Sequence, residues 1–174
     1  MRTLLLLTLL ASALFAGGLS DFFKRKNGIE PVTNEAYNTA CGDCHFAYQP
    51  GWLPARSWQK MMEPAELEDH FGDNAEMEED ERLEMLKFLV DNSAETSSYK
   101  RSKKILASIK EAESPLRISK TRYLDRKHDE IPKRLIEQEK VRSLAHCNRC
   151  HEGAEKGNFD DDDVVIPGYG RWDH

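Results

Sequence analysis

Apolar residues are scarce in this chain, and no long run of them occurs beyond Phe15. Only 39% of the 174 residues are hydrophobic, and the mean hydropathy is −0.69. This excludes a multi-span membrane protein and leaves a thin core for one ordinary domain or two small lobes. Basic excess is lacking too: 25 Lys and Arg face 31 Asp and Glu, a net charge of −6. That balance argues against a nucleic-acid binder. Strand-like alternation is weak everywhere, which disfavours a large α/β enzyme. No Ser–His pair or carboxylate pair rises above background as a catalytic constellation. Four cysteines and six histidines remain as the unusual content.

The first residues read as an export signal. Arg2 is a short basic start, and Leu4 to Phe15 form an apolar stretch too short to span a bilayer. Ala16, Gly17 and Gly18 fit a cleavage site, with Ala11-Ser12-Ala13 as an earlier candidate. Residues 1–18 are thus expected to be removed, giving a periplasmic mature chain from Leu19 with no transmembrane span. An uncleaved anchor is the alternative, since Phe22 and Phe23 prolong the apolar character before Lys24-Arg25-Lys26.

All four cysteines fall in two copies of one motif. Cys41-Gly42-Asp43-Cys44-His45 and Cys147-Asn148-Arg149-Cys150-His151 are both C-x-x-C-H, the attachment pattern of c-type haem. Two thiols three positions apart on a helical turn face the same way and can add to both vinyl groups of one porphyrin. The histidine that follows then supplies the proximal nitrogen to iron. Rival readings explain less. Two disulfides give no reason for a histidine after each pair, and 102 residues between Cys44 and Cys147 far exceed a zinc ribbon's spacing. A thioredoxin-like pair needs a βαβ context that is not visible. The expected cofactors are two covalent haem c groups.

The rest of the chain reads as mostly helical, with little or no sheet. Short helices are expected over Asn34–His45, from Ser57 as a cap through Trp58, Met61 and Met62, and from Pro64 through His70 and Phe71 to a stop at Gly72. Asn74 is expected to cap a long helix over Ala75–Asp91, with Leu83, Leu86 and Val90 inward beside Met85 and Leu89. The polar stretch Asn92–Ser98 marks a boundary between an N-terminal haem lobe, residues 19–95, and a C-terminal one, 96–174. A basic helix over Tyr99–Glu113 follows, then irregular chain over Arg117–Glu130. From Pro132 a last long helix is expected to run into the second motif, before a loop-like tail. The porphyrins would supply apolar area that the sequence lacks.

Charge is segregated along the chain. Glu63 to Glu95 holds thirteen acids and two bases, whereas Lys100 to Arg142 holds fourteen bases and seven acids. Such runs are commonly solvated faces, but they also suit opposed docking surfaces for charged partners.

The sixth iron ligands decide between carrier and catalyst. His45 and His151 are the proximal candidates. His70 follows His45 by 25 residues, far enough to wrap over the ring, and is the distal candidate for haem one; Met61 and Met62 compete. His128 precedes Cys147 by 19 residues and is the candidate for haem two, with His146 as its competitor. Arg56, Arg117 and Arg122 are candidate propionate partners.

Several stretches are similar to one family. Besides both motifs, they are Leu53-Pro54-Ala55-Arg56-Ser57-Trp58, His70-Phe71-Gly72-Asp73-Asn74-Ala75, Pro115-Leu116-Arg117-Ile118, Arg126-Lys127-His128 and Gly153-Ala154-Glu155. In order and over nearly the whole mature chain, they resemble the small periplasmic dihaem cytochromes c. The resemblance implies a bis-histidine electron-transfer protein with a cytochrome c-like N-terminal lobe and a C-terminal lobe of its own type. It implies His70 and His128 as distal ligands. It also implies redox partners such as a small high-spin, oxygen-binding cytochrome c and a membrane cytochrome b. A monomer with two low-spin, low-potential haems is expected. The rival is a dihaem peroxidase or small-molecule reductase, which needs one open or labile iron position.

Overall fold

The computed structural model describes residues 28–172. The leader read over 1–18 and the terminal His174 lie outside the described residues. Asn34 opens the first helix, α1 (Glu35–Gly42), by accepting the Tyr37 N–H on its side chain at 3.0 Å. Six further helices follow: α2 (Ala55–Met61), α3 (Pro64–Glu68), α4 (Glu79–Asp91), α5 (Lys100–Ser108), α6 (Arg122–His128) and α7 (Lys133–Ile136). Pro64 holds the first position of α3, where a missing N–H costs nothing. Three acids fill the first turn of α4, at the positive end of its dipole. The fold is mostly helical, as expected; the only sheet among the described residues is a hairpin, β1 (Val165–Ile166) with β2 (Gly170–Arg171).

Several boundaries differ from the sequence reading. Pro54, not Ser57, precedes α2, and Ser57 is buried inside that helix. Helix α3 stops at Glu68, so His70 and Phe71 lie beyond it, in a turn. Helix α4 starts at Glu79 rather than Ala75. The Asn74 side chain accepts the Glu76 N–H at 2.8 Å, and the Ala75 N–H donates to Leu67 O at 2.9 Å, which holds this stretch extended along α3. Leu83 faces solvent, leaving Met85 and Leu89 as the buried pair.

Helix α5 ends at Ser108, not Glu113. The Arg56 guanidinium takes the carbonyls of Lys110 and Glu113, at 3.1 and 2.7 Å, so they do not continue a helix. The stretch read as irregular contains α6, which buries Tyr123 and Leu124. The long helix expected from Pro132 is only α7. The Gln138 side chain takes the Leu135 carbonyl at 2.8 Å, and Arg142 turns the chain with φ +71°. The second motif therefore lies on a 3-10 turn, Cys147–Arg149. The tail read as loop forms the hairpin.

One buried cluster runs through the molecule. It joins Ile29, Trp52, Leu53, Met85 and Leu89 to Ile105, Tyr123, Leu124 and Phe159. In the Asn92–Ser98 stretch Ser93, Ala94 and Ser97 are buried and the other four residues exposed, and the Ala94 N–H donates to Leu53 O at 2.9 Å. Gln49, 1% exposed, sits at the centre. Its amide donates to Ala154 O at 2.7 Å, and its carbonyl accepts the Trp52 indole N–H at 2.9 Å. Trp52 in turn meets Phe159 edge-on, centroids 4.8 Å apart.

The first described residues close the same junction. The Ile29 N–H donates to Gly157 O at 3.0 Å. Gly157 has φ +71°, and a Cβ there would stand 2.0 Å from Ile29 O. Gly157→Ala is therefore expected to lower stability by about 1–3 kcal/mol, read as a drop in the thermal midpoint of the purified protein.

Candidate functional site

The first C-x-x-C-H motif begins at the end of a helix, the second at the start of a 3-10 turn. Cys41 lies on α1 and packs against the main core, while Cys44 and His45 follow the helix end. Cys147 opens the 3-10 turn that leads to Cys150 and His151. None of the four cysteines is paired in a disulfide. Burial pushes the Cys41 thiol up to about 11, with Glu81 adding to it, and the Cys147 thiol up to about 12. Among the described residues, no three His, Cys, Asp or Glu side chains converge to hold a bare metal ion.

Four histidines meet in two pairs. The His45 and His70 rings lie 6.1 Å apart, nearly parallel at 18°. The His128 and His151 rings lie 6.3 Å apart and crossed at 86°. A metal–imidazole nitrogen bond is about 2 Å, and a ring centroid lies about 1 Å behind that nitrogen. Two imidazoles on opposite sides of one metal thus stand about 6 Å apart by centroid. Both pairs fit that spacing, and each pair includes the histidine of one C-x-x-C-H motif.

Hydrogen bonds fix the tautomer in one ring of each pair. His45 Nδ1 is 2.7 Å from Phe46 O, and His128 Nδ1 is 2.7 Å from Leu124 O, four residues back on α6. A carbonyl only accepts, so each Nδ1 carries the proton and each Nε2 lone pair is free. His70 and His151 have buried Nδ1 atoms with no hydrogen-bond partner. Each instead has a phenylalanine beside it: Phe71 at 4.8 Å from His70, and Phe159 at 5.4 Å from His151. Burial is the first cause holding His70 and His128 below the ordinary histidine range. Burial followed by the neighbouring His128 takes His151 down to about 4. Neutral imidazole is the form that binds a metal.

His70 is presented by a tight turn. Its N–H donates to Asp73 O at 2.7 Å, and the Asp73 N–H donates back to His70 O at 3.3 Å. The two central residues, Phe71 and Gly72, have φ +60° and +106°. This is type I′ geometry, which favours Asn or Gly at both places. A phenylalanine there costs about 1–2 kcal/mol. His151 is held differently, by a bridge to Val164 and by the Val165 N–H donating to Cys150 O at 3.0 Å. The hairpin thus backs the second motif, and Val164, Ile166 and Trp172 line the apolar pocket around Cys147, Cys150 and the second pair.

The competing residues join neither ring pair, although His146 lines the pocket of the second pair. Met61 and Met62 are buried in the main core, and the ring facing His45 is that of His70. His146 lies 3.2 Å through Nδ1 from Ser143 Oγ and joins neither ring pair. Arg56 and Arg122 are engaged with Glu113, while Arg117 stacks over Phe71 at 4.0 Å. A cavity of about 680 Å³ touches both motifs, with Cys44 and His45 on one side and His146, Asn148 and Arg149 on the other.

Tyr48 was not singled out by the sequence. Its ring lies 5.3 Å from that of His45, and its hydroxyl donates to Ala145 O, two residues before Cys147. It connects the two motifs across 97 positions of chain. No local pattern in Phe46-Ala47-Tyr48 signals that role.

The profile of the dihaem cytochrome c family matches residues 37–159. No curated protein matches the chain. Solved structures do. The dihaem cytochrome c of Shewanella baltica OS155 is 38% identical, with a TM-score of 0.65 over 80% of this chain and 98% of that one. A dihaem cytochrome c from Rhodobacter sphaeroides is 40% identical, with a TM-score of 0.66 over 75% of this chain and 99% of that one.

If these motifs hold the cofactors, Cys41→Ser together with Cys44→Ser should leave a protein with one haem after acid–acetone extraction. The same pair of changes at Cys147 and Cys150 should spare the other haem. Intact mass of the purified proteins reads both outcomes.

Proposed function

We propose that this chain, which belongs to the dihaem cytochrome c family, is an exported electron carrier whose two haems are each closed by a pair of histidines. Members of the family hold two covalently bound haem c groups, and the chain has one C-x-x-C-H motif for each. The observation that carries the reading is the spacing of the ring pairs, 6.1 and 6.3 Å, which suits one iron between each pair.

The cofactor supplies one-electron chemistry at iron. The protein's own part is to hold and orient the ligands. His45 and His151 are the proximal ligands; His70 and His128 are the distal ones. A second imidazole in place of a thioether lowers the potential, so both haems are expected to be low-potential. A haem held by both histidines of a pair would keep no open position for a substrate and would pass an electron with little rearrangement of its ligands. Cys44 and His45 share a cavity wall with Arg149 of the second motif, and Tyr48 ties the first motif to Ala145. These contacts support transfer between the haems, with entry near one and exit near the other.

The leader over 1–18 supports export to the periplasm, where covalent attachment keeps haem from being lost. None of the described helices is long and apolar enough to cross a membrane. Redox proteins are the expected partners, among them a small high-spin, oxygen-binding cytochrome c and a membrane cytochrome b.

Ferric EPR tests the ligands. Parallel axial imidazole planes split the two iron π orbitals, whereas crossed planes leave them nearly degenerate. The 18° pair should therefore give a rhombic low-spin signal, and the 86° pair a single feature at large g. His70→Ala should convert only the first signal to high-spin and open that haem to carbon monoxide when reduced. His128→Ala should do so only for the second; an unchanged spectrum there shifts the assignment to His146. A stoichiometric high-spin haem in the unaltered protein would overturn the carrier reading in favour of a dihaem enzyme.

A further inference from the structure

The ring of His70 is oriented without a hydrogen bond. His45 and His128 each anchor Nδ1 on a backbone carbonyl at 2.7 Å, but His70 Nδ1 has no partner. The aromatic ring packed against His70 is that of Phe71, with centroids 4.8 Å apart and planes tilted at 55°.

Phe71 is an odd residue for its place. It has φ +60° in a turn where Asn or Gly would fit without strain. No other protein side chain buries it; it is 43% exposed among the protein atoms. Its ring has two distinguishing contacts. One is the imidazole; the other is Arg117, whose Cζ lies 4.0 Å from the ring centroid, a cation–π distance. Arg117 is itself set by its neighbour Ile118, which is buried and opens the 3-10 turn Ile118–Lys120. The turn is closed on the other side by Asp69, whose carboxylate accepts the Gly72 N–H at 3.0 Å.

We propose that Phe71, clamped by Arg117, is a positioning residue that fixes the rotation of the His70 imidazole and so keeps it near-parallel to His45. The proposal rests on the assignment of His70 as a distal ligand. The clamp does for His70 what a carbonyl does for His45: it selects one rotation of a ring that the metal bond alone leaves free to turn.

Three variants of the full haem-loaded protein test this, with the second haem as an internal control. Phe71→Gly keeps the backbone geometry and removes the ring. It should shift the rhombic ferric signal toward greater anisotropy or split it in two, and move the midpoint potential of that haem alone. Phe71→Tyr keeps the ring and should restore the original signal and potential. Arg117→Gln should move both in the same direction as Phe71→Gly, by less. An unchanged rhombic signal and potential in Phe71→Gly would overturn the proposal. Equal movement of both haem signals would also overturn it, because that reports general loosening. His70→Ala belongs in the same series. If it leaves both signals intact, the ligand assignment fails and this proposal with it; if it abolishes the rhombic signal while Phe71→Gly does not touch it, only the clamp fails.

Discussion

A metal gripped from both sides needs two imidazoles that arrive from different parts of the chain and face each other across a fixed gap. Neither ring can be placed by its own rotamer preference, because a histidine turns freely about its side-chain bonds until something stops it. In this fold each pair combines two kinds of stop. One ring is fixed by an Nδ1–H donated to a backbone carbonyl, Phe46 O for His45 and Leu124 O for His128. The other is flanked by a phenylalanine, Phe71 for His70 and Phe159 for His151. The division is not proximal against distal, since the carbonyl holds the motif histidine in the first pair and its opposite number in the second. A hydrogen bond at Nδ1 also makes an imidazole a stronger electron donor, so in each pair one ring is strengthened and the other is packed against an aromatic side chain.

The gap must also be kept, and that task falls on a core made from few apolar residues. Phe159 shows how it is shared. It flanks His151, meets Trp52 edge-on, and its carbonyl accepts the Arg101 guanidinium at 2.6 Å. Trp52 hydrogen-bonds to Gln49, and Gln49 to Ala154, just beyond the second motif. The residues beside the second pair are therefore the same residues that bind the turn after the first motif. A buried glutamine left without either partner would cost about 1–3 kcal/mol; here both ends of its amide are used. The larger cluster packs against both Cys41 and Cys147, while a smaller one, Leu135, Val164 and Ile166, backs Cys150 alone.

The sequence disclosed the chemistry better than the path of the chain. C-x-x-C-H is legible because its spacing is the mechanism, and His70 and His128 stood out because few other histidines were left. Pro64 at the first position of α3 was legible too, since a helix start acts locally. Helices α6 and α7 were not. Tyr123 and Leu124 are the only buried residues of α6, too few for a periodic stripe, and the helix forms on α5 through the Arg101–Tyr123 bond. Beyond α7, the polar run from Glu137 to Ser143 has good helix formers, but the Gln138 side chain and the left-handed Arg142 turn it back. Phe71 was hidden for a related reason: nothing in Phe-Gly announces a type I′ turn, and the aromatic ring that holds it belongs to a contact with Arg117, 46 positions away.

The charge pattern acquires a location once the turns are known. His70 and its turn fall inside the acid-rich stretch, with Asp69, Asp73 and Glu76 exposed around it, whereas His128 ends the basic α6. Exposed charges are screened within about 8 Å at physiological salt, so only neighbours of the rings bear on them. Around His70 those neighbours include one cation, Arg117, set among carboxylates. Around His128 the nearest charges are paired, Lys127 with Asp161, and Arg101 is committed to Phe159 O and Tyr123. Negative charge near an iron favours its oxidised state, because that state carries the extra positive charge. The field of neighbouring charges is therefore unequal at the two histidine pairs, although the pairs themselves are alike in spacing.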